Sequence, residues 1–124
     1  MTISRPAPGV VVLVIRGRDA GEHGEGPIHE LEKDVAAGSF DLFVDARLTR
    51  GASLDVSNVW AQWLHLRRER LRRVNMLTGS PFVQLTADFV RRYAELGDAM
   101  RIYTDAVAFD AALAGAVSQA SRTA

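Results

Sequence analysis

The stretch Val10-Val11-Val12-Leu13-Val14-Ile15-Arg16 has no polar side chain before its last residue. A run that is apolar at every position suits a strand covered on both faces. Working outward, further strand-like runs stand at Leu42–Asp45, Val74–Leu77 and Met100–Tyr103. Helical patterns fill the intervals at Pro27–Ala37, Ser57–Leu71, Pro81–Leu96 and Ala106–Val117. Regular strand–helix alternation points to a mostly parallel sheet, because parallel neighbours need a crossover and a helix is the usual one. The expected fold class is therefore α/β, with four main strands and four helices in one domain over residues 1–124.

Local signals sharpen this outline. Pro6 and Pro8 limit residues 1–9 to an extension or a short edge strand around Ile3. Residues 17–26 hold four glycines among charged side chains and read as a loop. Pro27 suits the first helical position, and Ile28, Leu31 and Val35 form one apolar stripe before Gly38. In the second strand Phe40, Leu42 and Val44 alternate with Asp41, Phe43 and Asp45, the pattern of one covered and one partly wet face. Asp55 or Ser57 can cap the next helix, in which Trp60, Trp63, Leu64 and Leu71 share a face. Ser80 and Pro81 open the third helix, with Leu85, Phe89, Tyr93 and Leu96 as its expected buried stripe. Phe109, Leu113 and Ala116 or Val117 carry the last helix, and residues 118–124 are expected to fray.

Composition excludes several function classes. Acidic and basic side chains balance at 15 each, so no global field draws the chain to nucleic acid or anionic lipid. There is no cysteine, hence no disulfide, thiolate metal site or thiol nucleophile. No apolar run approaches a membrane span, so stable membrane insertion is not expected. Residues 1–9 lack the apolar region of a signal peptide, which makes the cytoplasm the default location.

Ligands of α/β sheets gather at the carboxyl ends of the strands. After the first strand, Asp19, Glu22, His23 and Glu25 form a possible ligand loop, although their spacing matches no metal motif and no metal is expected. The glycines at 17, 21, 24 and 26 fit neither a P-loop nor a dinucleotide fingerprint, and no G-x-S-x-G elbow exists. Neither a catalytic constellation nor a cofactor is implied. His29 and His65 fall outside the apolar stripes of their helices and read as surface histidines. Arg67-Arg68-Glu69-Arg70-Leu71-Arg72-Arg73 could grip phosphates, but no aromatic interleaves it for base stacking. A solvated helix end, its arginines facing the negative end of the dipole, is the preferred reading. Asn75 reads as a hydrogen-bonded core amide.

From Phe40 to Leu113 the pattern resembles the STAS superfamily, in its SpoIIAA-like branch. The elements that carry the resemblance are Phe40-Asp41-Leu42-Phe43-Val44-Asp45-Ala46-Arg47, Gly51 and Val59-Trp60-Ala61-Gln62-Trp63-Leu64. Arg70-Leu71-Arg72-Arg73 leading into Val74-Asn75-Met76-Leu77, and Arg101-Ile102-Tyr103-Thr104-Asp105 with Ala108-Phe109 and Ala111-Ala112-Leu113, complete it. The resemblance implies a β–α superhelix with helices mainly on one face of the sheet. It also implies a bacterial, non-enzymatic signalling and regulatory module that binds other proteins. In family members an Asp-Ser-Ser-Gly serine at the start of the helix after this second strand is phosphorylated. Here that place reads Asp55-Val56-Ser57-Asn58, so only Asp55 and Ser57 match, and Ser53 is a second candidate in the same loop. A further departure is the N-terminal β-hairpin partner, which a proline-bearing nonapeptide replaces.

The leading expectation is thus a cytoplasmic interaction module with a protein partner, which includes a second copy of itself. A small apolar, lipid-like ligand held under the tryptophan helix is the alternative, and a small enzyme or metal-binding protein using the first-strand loop is the second alternative. With helices mainly on one side, Val11, Leu13, Ile15 and Phe43 are expected to form an uncovered apolar face that a homodimer would bury.

Overall fold

The computed structural model describes residues 1–19 and 26–123. Five strands form one sheet in the sequential order β1 to β5. They are β1 (Thr2–Ala7), β2 (Val10–Asp19), β3 (Phe40–Ala52), β4 (Leu71–Thr78) and β5 (Met100–Tyr103). The helices are α1 (Gly26–Ala37), α2 (Leu54–Leu66), α3 (Pro81–Tyr93) and α4 (Ala106–Thr123). β2 to β5 pair in parallel, as the alternation requires.

The N-terminal hairpin that the prolines argued against is present. β1 pairs antiparallel with β2, Ile3 opposite Leu13, and the register shifts between Ser4 and Ala7. Pro6 falls within that irregularity on an edge strand, where its missing N–H is tolerated. Gly9 turns the hairpin at φ 74°, and a Cβ there would meet the Arg72 guanidinium at 2.8 Å. β3 also runs farther than its apolar core. Its polar end pairs with the end of β2, Arg16 with Leu48 and Gly17 with Thr49, so the segment expected as a loop is strand up to Ala52. α2 correspondingly starts earlier, and Leu71, expected on that helix, opens β4.

Two apolar layers flank the sheet. On one face Val11, Leu13, Phe40, Leu42, Val44 and Val74 pack with Ile28 and Leu31 of α1, Ala61, Trp63 and Leu64 of α2, and Ala87 and Val90 of α3. On the other, Phe43 and Leu77 pack with Phe109, and Leu113 and Ala116 of α4 join them. Three helices on one face and one on the other is the SpoIIAA-like arrangement the resemblance implied. α4 continues helical to Thr123, past the point where fraying was expected.

This layering corrects the expected dimer face. Val11 and Leu13 are each 1% exposed beneath the helices, and Ile15 packs against the same layer. Phe43 points the opposite way and is 2% exposed beneath α4. Residues of odd number on β2 and the Phe43 position on β3 fall on opposite faces of the pleat, so they never form one surface. The C-terminal helix covers the face that had been assigned to a second copy. The stripe of α3 needs a correction too. Val83, Ala87 and Val90 are buried, whereas Leu85 is 68% and Tyr93 52% exposed; of the expected stripe Leu96 is buried and Phe89 is half-buried against the core.

Candidate functional site

The start of α2 brings together Ser53, Asp55, Ser57 and Asn58. Ser53, not Asp55 or Ser57, is the N-cap, its Oγ accepting from the Val56 N–H at 3.1 Å. Ser57 is buried one turn inside the helix, its hydroxyl donating to the Ser53 carbonyl at 3.1 Å. Ser53 is half-buried and Asp55 and Asn58 are exposed. Of the expected first-strand loop, Asp19 ends β2, and Glu22, His23 and Glu25 lie outside the described residues. Among the described residues no three His, Cys, Asp or Glu side chains converge as a metal site.

Behind Ser57 lies a cavity of about 100 Å³ between the sheet and helices α2 and α3. Leu13, Ile15, Leu42, Val44, Val74, Met76 and Met100 form its sheet wall. Val56, Trp60 and Leu64 of α2 face Val83, Thr86 and Val90 of α3 across it. Among the described residues no charged side chain lines it. Native interiors rarely contain voids larger than a water molecule. No spacing in the sequence could reveal this cavity, because its walls come from six separate elements. The tryptophan-bearing helix was the only hint.

The two tryptophans divide their work. Trp63 is 7% exposed, and its indole N–H donates to Glu32 of α1. Glu32 also accepts from Arg67 at 2.9 Å. Hydrogen bonds from Arg67 and then Trp63 hold the Glu32 carboxyl below the ordinary carboxylate range. Trp60 meets Trp63 edge-to-face, with ring centroids 6.1 Å apart, and turns toward the cavity.

α3 presents a second apolar feature on its outer side. Phe82, Leu85, Phe89 and Tyr93 recur at spacings of three and four, which places them along one helix face, with Phe89 half-buried against the core. Phe82 is 64% exposed and lies against Gly51, whose Cβ would stand 3.4 Å from the ring. Phe89 and Tyr93 rings lie 5.8 Å apart.

The basic cluster is largely engaged within the fold. Arg67 pairs with Glu32, and Arg68 donates to the His65 carbonyl at 2.7 Å. Arg72 donates to the Gly9 carbonyl at 2.9 Å, with Asp41 3.4 Å away, and Arg73 donates to the Asp98 carbonyl at 3.1 Å. His65 is not a free surface histidine. Its Nδ1 lies 3.2 Å from the Ala94 carbonyl, joining the ends of α2 and α3. Asn75 is buried as expected and accepts from the Tyr103 hydroxyl at 3.4 Å.

No family model matches the sequence, and no curated protein matches it. Solved structures do. One is an uncharacterized protein of the DUF3478 family from Shewanella loihica PV-4, described as having a SpoIIAA-like fold. It superposes with a TM-score of 0.66 over 90% of each chain at 14% identity. Another is the anti-sigma factor antagonist SpoIIAA in its unphosphorylated form, with a TM-score of 0.61 at 18% identity over 90% of this chain and 94% of that one. Both likenesses span nearly the whole chain, and the chain has the SpoIIAA-like fold.

Proposed function

We propose that the chain is a non-enzymatic regulatory module that acts in the cytoplasm by binding another protein, with the outer stripe of α3 as its contact. The observation that carries this reading is the exposure of Phe82 at 64%, Leu85 at 68% and Tyr93 at 52% along one helix. Scattered exposed apolar residues need no explanation, but two aromatic rings and a leucine along one helix face have the composition of an interface core. An amphipathic partner helix or a second copy of α3 reads such a stripe through positions three and four apart. The anti-sigma factor antagonist of the same fold is named for an action on another protein. Ser53, Asp55 and Asn58 stand at the same end of the helical layer as Phe82, where the loop can contribute to recognition. Of the two candidate hydroxyls Ser53 is the accessible one, since Ser57 is 7% exposed. Nucleic acid has no place in this reading, because Arg67, Arg68, Arg72 and Arg73 are engaged by carbonyls and carboxylates of the fold.

Native mass spectrometry of protein purified from its own cells tests it. The wild-type chain is expected to retain a protein partner, or a second copy, in fixed stoichiometry, and L85E with unchanged circular dichroism is expected to lose it. A bare monomer from wild type, or equal retention by L85E, refutes the proposal.

A further inference from the structure

Independently of that outer stripe, we propose that the cavity between the sheet and helices α2 and α3 is a binding site for a small neutral hydrocarbon, an aromatic ring or short aliphatic chain. Its volume of about 100 Å³ is comparable to the roughly 150 Å³ at which an apolar protein cavity stays dry and accepts benzene. The chemistry of the walls sets the ligand class. Methyl groups and the Trp60 ring dominate, and among the described residues no cation lines the space to receive a carboxylate or phosphate. The three hydroxyls in the wall already donate to backbone carbonyls, Thr49 to Ile15, Ser57 to Ser53 and Thr86 to Phe82. A polar ligand would therefore lose its hydration without finding charged partners, whereas a hydrocarbon gains the contacts that the void forgoes.

Gly51 and Phe82 mark the way in. Gly51 is itself part of the wall, and the absence of a side chain there lets the Phe82 ring lie against the strand. That ring is largely exposed at the first turn of α3, where it can rotate aside without breaking a hydrogen bond.

Methyl-resolved NMR of the full chain, titrated separately with toluene, pentane and hexanoate, tests the site. Toluene or pentane is expected to produce saturable shifts centred on Leu13, Val44, Val90 and Met100, with a matching change in tryptophan fluorescence from Trp60. Hexanoate is expected to bind more weakly than pentane. A46L, which fills the wall from the sheet side, is expected to abolish the saturable shifts. If A46L does not fold, T86L serves from the helix side. Absence of saturable shifts in wild type up to the aqueous solubility of both hydrocarbons overturns the proposal. So do shifts spread evenly over the protein, or hexanoate binding at least as tightly as pentane.

Discussion

Truncating Phe109 to alanine should remove the anchor that fixes α4 to the second face of the sheet. The ring is 1% exposed and stands edge-to-face with both Phe43 and Tyr103, each centroid 5.8 Å away. Deleting a fully buried phenyl costs about 3–5 kcal/mol, the sum of lost transfer energy and the cavity left behind. Against a total stability of about 5–15 kcal/mol, that is a large fraction. Phe109→Leu separates the two contributions. It keeps most of the buried volume but loses both ring pairs, so about 1–2 kcal/mol is expected. Urea denaturation followed by circular dichroism reads both losses. At an m-value of roughly 2 kcal/mol per molar, the alanine variant should unfold about 2 M earlier than wild type. Val107→Ala is the control, because Val107 is 76% exposed at the start of the same helix and its loss should stay within about 0.5 kcal/mol. A midpoint for Phe109→Ala no lower than that of Val107→Ala would refute the assignment of α4 to this face.

Gly79→Ala should be destabilised, because a Cβ at that position would stand 2.2 Å from the Arg47 carbonyl oxygen, and backbone must move to admit it. The expected cost is about 1–3 kcal/mol by thermal melting, and an unchanged melting temperature would show that β3 and the β4–α3 turn are farther apart. Glu32 makes stability depend on pH in a defined direction. Its folded-state pKa is lowered, so its contribution is complete above the unfolded carboxylate value of about 4.3 and disappears as pH falls through the lower folded value. Glu32→Gln should therefore be less stable than wild type near neutral pH, and the gap should close on acidification. A gap independent of pH would remove the carboxylate from that role.

The strands were legible because their signals are local. Alternation in Phe40–Asp45 assigned Phe43 to the opposite face from Leu42, and the structure buries them on opposite sides. What failed was the choice between two apolar stripes on α3. Leu85, Phe89 and Tyr93 are the bulkier set, but Val83, Ala87, Val90 and Ala94 face the core. Ala87 and Ala94 have no exposed surface, since small side chains let the helix approach the sheet closely. Size alone therefore misplaced Leu85 and Tyr93, while Leu96 is buried and Phe89 packs partly against the core. β1 was undervalued because prolines argue against strands generally, and the local register shift that accommodates Pro6 leaves no sequence signature. The polar end of β3 read as a loop because its partner, the end of β2, is equally polar. Of the candidate site, the α2 loop was found through its hydroxyls, while the cavity depends on long-range packing that no short window contains.

The apolar run Val10–Ile15 demanded cover on both faces, and helices on one side alone would leave that demand unmet. α4 meets it, and the surfaces available to a partner change as a result. The sheet face is spent, and the exposed apolar stripe belongs to α3. That helix supplies Val83, Thr86 and Val90 to the cavity on its inner side and Phe82, Leu85 and Tyr93 to solvent on its outer side. The ring of Phe82 lies between the two, since a Cβ at Gly51 in the cavity wall would stand 3.4 Å from it while the ring stands open at the start of the stripe. A ligand that reseats Phe82 alters the surface offered to a protein partner, and linkage then requires the partner to alter ligand affinity by the same factor. The cavity and the stripe thus have a physical route to coupling through a single side chain, with no need for a longer path across the sheet.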